Sequence, residues 1–475
     1  MGADAKDTVL SIGQQIKDVL AESNDAKFFV LKMDKDQKLI LDLSGPLETD
    51  FNLYVKFGSR PTASKNDYRS TGGSSRESVT IDKTRKGKYY AMVHSNSGKG
   101  KFLLAASAGE SARILIITSR KNLAGKFGEG NFQRIENGID SYVKALQGSG
   151  MPADRIYVDD TASLSPYGLD PVDPSDASQV KGLIDALDEK ISPAYFLILG
   201  GHEIIPFHRL SNPAGDDGDT VVDSDNPYAS TDADFLIPER ALGRLPDDSS
   251  RDPGFFLSVL ETAANRAREA GDSAFGLSAN VWVKASQKVY DSVKSNQDVT
   301  VSPPEKESTF LTGWIDKKTY HYFNLHGGED TSDWYGQQGE NQPVIPAYKP
   351  GNLTGADVEN VIICSEACYG ANIIGKGVED AISLTYLQKK AACFVGSTKI
   401  AYGPAVPPSM EADLLVSKFF DRIKEGLTFG DAFMKAKQDF ARETIAASKG
   451  LDGTDKKTLI EFVLYADPSS KVVIT

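Results

Sequence analysis

The first hundred residues contain short runs in which hydrophobic and polar side chains alternate, and Gly, Ser, Asp and Lys separate these runs. The runs lie at residues 28–31, 39–43, 51–57, 78–81, 89–93 and 102–104. Alternation with a period of two, interrupted by turn residues at this spacing, predicts antiparallel strands with one buried face. We therefore predict an all-β sandwich over residues 1–107.

The pattern changes after a stretch of small residues at 107–112. Continuous apolar runs at 113–118, 155–159 and 195–200 predict fully buried strands, and amphipathic stretches at 131–147 and 177–191 predict helices between them. Strands that alternate with helices indicate a parallel sheet covered by helices. We assign this first α/β sub-domain to residues 113–250.

The same alternation returns in the second half of the chain, which we assign to a second α/β sub-domain at residues 251–475. After a strand and turn at 235–246, the apolar runs predict strands at 281–284, 320–326, 361–368 and 392–397. The amphipathic stretches predict helices at 254–269, 380–390, 409–424 and 429–446.

Composition and charge exclude several classes of protein. The 475 residues carry a net charge of −13, which argues against a surface that tracks nucleic-acid phosphates. The sequence shows no apolar run of membrane-spanning length and no signal peptide. We expect a cytoplasmic chain as the sequence is written, secreted if a leader has been trimmed, and a monomer without a nucleic-acid partner.

The candidate chemistry lies at the ends of two predicted strands. One strand ends at His326 and is followed by Gly327, and the other ends at Cys368. Because strand ends meet at one edge of an open α/β sheet, the imidazole is expected to serve as a base for the thiol. The backbone N–H groups of Gly327 and Cys368 are then candidates for an oxyanion hole.

Other interpretations of these residues remain. Cys364, Cys368 and Cys393 are too clustered for a disulfide framework, and each is also a candidate for a buried core thiol. Zinc held by Cys364, Cys368 and either His321 or His326 is the sharper alternative. A strand would place those two cysteines about 13 Å apart, which disfavours it.

Two resemblances cover most of the chain. The stretches at 50–58, 60–62, 67–70, 77–81 and 87–93 resemble the bacterial pre-peptidase C-terminal domain over residues 8–106. This resemblance implies a non-catalytic jelly-roll module that in some members binds calcium.

From residue 113 onward the chain resembles the gingipain family within the caspase-like cysteine peptidases. The matching motifs are a strand ending in His-Gly, a strand ending in Ala-Cys, and the stretches at 199–206, 224–228, 241–246 and 462–468. The resemblance implies a cysteine endopeptidase with a dyad of His326 and Cys368 and a thioester intermediate. It departs from the family at 285–288, where the acidic and glycine-rich stretch of gingipains is absent. The alternative is a catalytically inactive caspase-like binding module whose β-sandwich is adhesive.

Cleavage specificity is expected to depend on three further residues. On a strand, Glu366 shares a face with Cys368, and the residue at this offset lines the primary pocket in caspase-like relatives. A carboxylate there favours Arg or Lys before the scissile bond. The resemblance implies that Tyr402 is an apolar pocket wall, and Lys284 is a candidate to neutralise Glu366.

An acidic segment suggests a structural metal. A turn-rich loop concentrates carboxylates that would repel one another in the folded chain, and oxygen ligands of this kind suit calcium. The candidate ligands are Asp216, Asp217, Asp219, Asp223 and Asp225. The proposed peptide hydrolysis itself requires no cofactor, and its substrate would be a protein or peptide.

Overall fold

The structure is a computed structural model. It describes residues 7–474 except 35–36, 47, 74, 82–83, 110–112, 216 and 267. The chain divides into two compact units, Met1–Ala112 with Ile445–Ala447 and Arg113–Thr444 with Ser448–Thr475.

The N-terminal unit is all β, as the alternating pattern predicts. Its strands are β1 (Thr8–Val9), β2 (Gln14–Leu20), β3 (Ala26–Met33), β4 (Lys38–Ser44), β5 (Asp50–Phe57), β6 (Tyr68–Ser70), β7 (Arg76–Ile81), β8 (Gly87–Ser97) and β9 (Gly100–Gly109). They form a five-stranded sheet in the order β1-β3-β8-β5-β6 and a four-stranded sheet in the order β2-β9-β4-β7. Between them lies a core that includes Leu41, Phe51, Leu53 and Leu104, all fully buried. Strand β9 continues to Gly109, two residues beyond the predicted end of the domain.

The second unit alternates strands and helices. Its strands are β10 (Ile114–Thr118), β11 (Ala153–Tyr157), β12 (Tyr195–Leu199), β13 (His208–Ser211), β14 (Val221–Ser224), β15 (Ala241–Leu245), β16 (Glu269–Ala270), β17 (Ala274–Ala279), β18 (Thr300–Ser302), β19 (Tyr320–Asn324), β20 (Trp334–Gln337), β21 (Val344–Tyr348), β22 (Ile362–Ser365), β23 (Cys393–Ser397), β24 (Phe462–Tyr465) and β25 (Val473–Ile474). Its helices are α1 (Arg120–Phe127), α2 (Glu129–Gly148), α3 (Thr161–Leu164), α4 (Ala177–Ile191), α5 (Asn226–Ala229), α6 (Gly254–Ala264), α7 (Val283–Val293), α8 (Ile382–Gln388), α9 (Glu411–Lys424), α10 (Phe429–Ser448) and α11 (Gly453–Glu461). None of the helices in the described ranges is long and apolar enough to cross a bilayer.

Ten strands form one mixed sheet in the order β11-β10-β12-β15-β24-β23-β22-β19-β17-β18. All neighbouring pairs are parallel except β23 and β24. The two predicted sub-domains therefore contribute to a single sheet. Strand β24, near the C-terminus, joins them by pairing with β15 on one side and β23 on the other.

One predicted strand is wrong. The run at 281–284 forms a 3₁₀ turn and the start of α7, and the strand is the preceding segment, β17. The hydropathy pattern does not indicate β17, because the glycine, serine and alanines of this strand are only weakly hydrophobic. The apolar residues after it instead follow helical spacing, with Ala285, Val289 and Val293 buried on one face of α7.

Candidate active site

Strands β19 and β22 bring the two predicted catalytic segments together. The strands are parallel neighbours with Phe323 paired to Ser365, and the N–H of Glu366 donates to the carbonyl of Phe323 at 2.9 Å. His326 and Cys368 each follow the paired residue of their own strand by three positions. The two side chains therefore belong to loops that leave the same edge of the sheet side by side.

Gly327 lies directly against the Cys368 turn. A Cβ atom built on Gly327 would overlap the carbonyl oxygen of Cys368 and approach the side chain of Ala367 at 3.4 Å, so only glycine permits this approach. Within the described residues, neither the Gly327 nor the Cys368 backbone N–H donates a hydrogen bond to another residue. Both amides are thus available to an incoming carbonyl oxygen.

Cys368 lies in a turn, which corrects the prediction that the strand continues to this residue. Strand β22 ends at Ser365, and Tyr369 adopts a positive φ of 56°. The thiol donates to the carbonyl of Ala401 at 3.7 Å, and burial raises its pKa to about 11. The thiol is therefore neutral in the free protein and requires a base to become a nucleophile.

His326 is positioned by the hairpin of β20 and β21. Its backbone exchanges two hydrogen bonds with Tyr335, at 2.9 and 2.8 Å. Its ring lies 4.3 Å from the indole of Trp282 between centroids, and its Nε2 is 2.9 Å from Oε1 of Gln337. Burial lowers the pKa of His326, although the hydrogen bond to Gln337 opposes the shift. The imidazole is therefore uncharged at neutral pH and can accept a proton.

Glu366 is paired with a second acid that the sequence analysis did not identify. Glu366 is 6% exposed and Asp413, from the first turn of α9, is 0% exposed. Oε2 of Glu366 accepts from the hydroxyl of Tyr322 at 3.1 Å. No hydroxyl, amide or basic group within the described residues donates to Oε1 of Glu366 or to either oxygen of Asp413.

The two carboxyl groups perturb each other. Burial, and then the neighbouring charge of Asp413, raises the pKa of Glu366 well above its usual range. Burial likewise raises the pKa of Asp413 from 3.8 to about 7. A proton held between the two acids relieves their repulsion.

A short segment covers this acid pair. The N–H of Ala412 donates to the carbonyl of Tyr402 at 3.0 Å, which closes the loop that precedes α9. Gly403 is exposed, and a Cβ atom built on it would lie 3.1 Å from Oδ1 of Asp413. An exposed glycine therefore lies directly against the buried carboxyl group of Asp413.

The structure does not bring Lys284 to Glu366, contrary to the prediction. Lys284 is exposed on the first turn of α7, whereas Ala285 and Ser286 of the same turn face the interior. Because Lys284 belongs to a helix and not to the predicted strand, its side chain points away from the buried carboxyl groups. The polar side chains that contact the carboxyl group of Glu366 are instead those of Asp413 and Tyr322.

Tyr402 has a polar contact in addition to its predicted role as a wall. Its hydroxyl donates to Oδ2 of Asp217 at 2.7 Å, and the hydroxyl of Tyr369 donates to Oδ1 of Asp219, also at 2.7 Å. Fully buried Lys457 donates to both aspartates, at 2.5 and 2.6 Å. The acidic loop thus holds the Cys368 turn and the Tyr402 segment through the two tyrosine hydroxyls, and Lys457 joins its two aspartates.

The carboxylates predicted to bind calcium have cationic partners. Asp217 and Asp219 share Lys457, Asp223 lies 3.1 Å from Lys399, and Asp225 lies 2.5 Å from Arg244. In the described ranges no three His, Cys, Asp or Glu residues form a group that could hold a metal ion. The repulsion on which the calcium prediction rested is therefore relieved by lysine and arginine at these four positions. Asp216 lies outside the described residues.

The remaining histidines and cysteines have local roles. His321 is fully buried and bonds to the hydroxyl of Tyr386 at 2.8 Å, which removes it as a partner of Cys368 in a zinc site. Cys364 and Cys393 are buried core thiols. His202 lines a polar cleft of about 720 Å³ whose other walls include Glu329, from the loop after His326, and Lys376, from the segment after Cys368.

Comparison with known proteins assigns the N-terminal unit. Residues 25–95 match the model of the bacterial pre-peptidase C-terminal domain. The all-β unit is therefore a domain of this type, as the sequence resemblance predicts. The match does not extend into the α/β unit, and no curated protein matches the chain.

Three of the solved structures that are similar to parts of this chain share little sequence identity with it. The pre-peptidase C-terminal domain of collagenase from Bacillus anthracis is 12% identical, with a TM-score of 0.20, over 22% of this chain and 100% of that one. The periplasmic lysozyme inhibitor PliG from Aeromonas hydrophila is 18% identical, with a TM-score of 0.18, over 22% and 100%. The separase–securin complex from Saccharomyces cerevisiae is 12% identical, with a TM-score of 0.31, over 48% of this chain and 14% of that one. At these TM-scores the similarities assign no function.

Proposed function

We propose that the chain is a cysteine endopeptidase that cleaves peptide bonds after Arg or Lys, with a gingipain-like catalytic region. The observation that carries the proposal is the juxtaposition of two loops: Gly327, which follows His326, packs against the backbone of Cys368. The paired strands below them fix this arrangement. The motifs at residues 199–206, 224–228, 241–246 and 462–468 support the same family.

The chemistry follows from the protonation states of the two groups. The neutral Cys368 thiol gives its proton to the neutral imidazole of His326, and the thiolate attacks the carbonyl carbon of the scissile peptide bond. A C–S bond forms while the carbonyl π electrons move to oxygen, which accepts hydrogen bonds from the Gly327 and Cys368 amides. Collapse breaks the C–N bond, and the imidazolium gives its proton to the leaving amine. Water then hydrolyses the thioester with His326 as the base.

Specificity for a basic side chain follows from the buried acids. Glu366 and Asp413 have carboxyl oxygens without hydrogen-bond donors, and a guanidinium or ammonium group would supply those donors. Leaving buried polar atoms unpaired is costly, so binding of such a cation is favoured over a neutral side chain. The basic side chain would enter past Gly403 and displace the proton that the pair holds.

A panel of fluorogenic peptides tests the proposal. Peptides with Arg, Lys, Asp, Asn or Leu before the reporter are compared for the wild-type chain, Cys368→Ala and His326→Ala. We expect cleavage after Arg and Lys that both substitutions abolish. His94→Ala, a histidine change in the sandwich, is the matched control and should retain activity.

The opposite result favours the inactive binding module. If neither the wild type nor Cys368→Ala cleaves any of the peptides, the enzyme hypothesis is rejected, because the pocket and the dyad would then not catalyse hydrolysis. Preference for Asp or Asn would retain the peptidase and reject the role of Glu366 and Asp413.

A further inference from the structure

Gln337 has two polar contacts that fix the orientation of its amide. Its Nε2 donates to the carbonyl oxygen of Gln342 at 2.7 Å, and its Oε1 lies 2.9 Å from Nε2 of His326. A flipped amide would place its oxygen against the Gln342 carbonyl, so that two acceptors would face each other. The contact with Gln342 therefore directs the oxygen of Gln337 at the imidazole.

The position of Gln342 depends on the turn that joins β20 to β21. The N–H of Gln342 donates to the carbonyl of Gly339 at 3.1 Å, which closes this turn. Gln337 is the last residue of β20, and the same strand pairs with the backbone of His326 through Tyr335. The hairpin thus holds both the backbone and the ring of His326.

An amide oxygen can only accept a hydrogen bond, so the histidine nitrogen that faces it must carry the proton. In a neutral imidazole the proton then lies on Nε2 and the lone pair on Nδ1. The surroundings add no charge: the pKa of His326 responds to burial and to Gln337, and the adjoining Trp282 is neutral. A neutral partner fixes the tautomer without favouring the imidazolium, as a carboxylate would.

We infer that Gln337 is the positioning residue of the dyad, and that it holds His326 as the Nε2–H tautomer with Nδ1 as the nitrogen that accepts the Cys368 proton. The inference rests on the proposed peptidase function and deepens it. Nothing in the motifs at 326 or 368 indicates this residue. The carboxylate that would raise the basicity of the histidine is replaced here by a carboxamide.

The first test reads the tautomer directly. ¹⁵N chemical shifts of the ring nitrogens distinguish Nδ1–H from Nε2–H in the 475-residue chain labelled at its five histidines, and His326→Ala assigns the signal. We expect Nε2–H in the wild type and in Gln337→Glu, and a mixture of tautomers in Gln337→Leu. A wild-type Nδ1–H signal would overturn the inference, as would an unchanged tautomer in Gln337→Leu.

The second test uses the pH dependence of that signal and of peptide cleavage. In Gln337→Glu the new carboxylate should raise the titration midpoint of His326 by about one pH unit or more, and shift the acidic limb of kcat/KM by the same amount. In Gln337→Leu we expect kcat to fall by about 10- to 100-fold, the usual cost of losing an orienting partner, with KM changed far less. Gln338→Glu adds the same charge at the next, exposed residue and should change neither quantity.

The two tests separate this inference from the proposed function. If His326 has the Nε2–H tautomer and loses it in Gln337→Leu, but no peptide is cleaved by any variant, the positioning contact stands and the peptidase proposal fails. If peptides are cleaved and Gln337→Glu titrates like the wild type, the peptidase stands and the role of Gln337 is refuted.

Discussion

Asp413→Asn is expected to stabilise the α/β unit above neutral pH and to leave its stability near pH 4 almost unchanged. Burial raises the pKa of Asp413 from 3.8 to about 7 in the folded chain. Between those values the folded state holds a proton that the unfolded state has lost, so the free energy of unfolding falls as pH rises through this window. The cost is complete above pH 7, and asparagine does not incur it.

The magnitude follows from the size of the shift. A change of about three pKa units at about 1.36 kcal/mol each gives about 4 kcal/mol at pH 8 for Asp413 itself. Because Asp413 also raises the pKa of Glu366, its removal lets Glu366 ionise at a smaller cost and adds to that gain, whereas the buried amide of asparagine, whose N–H groups need acceptors, takes part of it away. We therefore expect a gain of about 2 to 4 kcal/mol at pH 8, declining towards zero near pH 4.

Urea unfolding followed by tryptophan fluorescence measures the unfolding free energy of the α/β unit. All three tryptophans, Trp282, Trp314 and Trp334, belong to the α/β unit, so the sandwich does not contribute to the signal. Asp170→Asn removes an exposed carboxylate of the same unit and serves as the control. A difference between Asp413→Asn and the wild type that stays constant from pH 4 to pH 8 would refute the account of the acid pair.

Three further predictions concern activity and stability. Glu366→Gln should lower kcat/KM for Arg and Lys peptides by at least tenfold and leave neutral peptides nearly unaffected, since it removes one charged acceptor; equal losses on all peptides would contradict this. Gly327→Ala should separate the two catalytic loops and reduce cleavage of every peptide, and should cost about 1 to 3 kcal/mol in urea unfolding; full activity would show that the close approach is unnecessary. Lys457→Met leaves the two aspartates of the acidic loop without their shared cation and should lower the free energy of unfolding by about 3 to 5 kcal/mol in the same assay. An unchanged free energy of unfolding would show that this ion-pair network does not stabilise the fold.

The sequence predicts the scaffold better than the site's supporting residues. Strong apolar runs locate strands such as β10 and β12, and the helix predicted at 177–191 has those bounds in the structure as α4 (Ala177–Ile191). These features follow from local periodicity, which one sequence contains in full. The hydropathy pattern does not predict β17, because this strand consists mainly of small residues that packing holds in the sheet.

The supporting residues depend on contacts between distant parts of the chain. Asp413 follows Glu366 by 47 positions, and the two carboxyl groups meet only because the fold brings the first turn of α9 to the residue after β22. Lys457 meets Asp217 across 240 positions, and no spacing rule connects them. The acidic loop is a further case: its like charges, visible in the sequence, predict a metal site, whereas the lysines and the arginine that the fold brings to them are distant in the chain.

The most direct test of the central claim is labelling of the native chain with a peptide alkylating probe that carries Arg before its reactive group, followed by mass spectrometric mapping. We predict modification of Cys368 alone among the three cysteines, loss of labelling in His326→Ala, and a large preference over the same probe with Asp. Labelling of Cys364 or Cys393 instead, equal labelling by both probes, or no labelling of Cys368 would contradict the account.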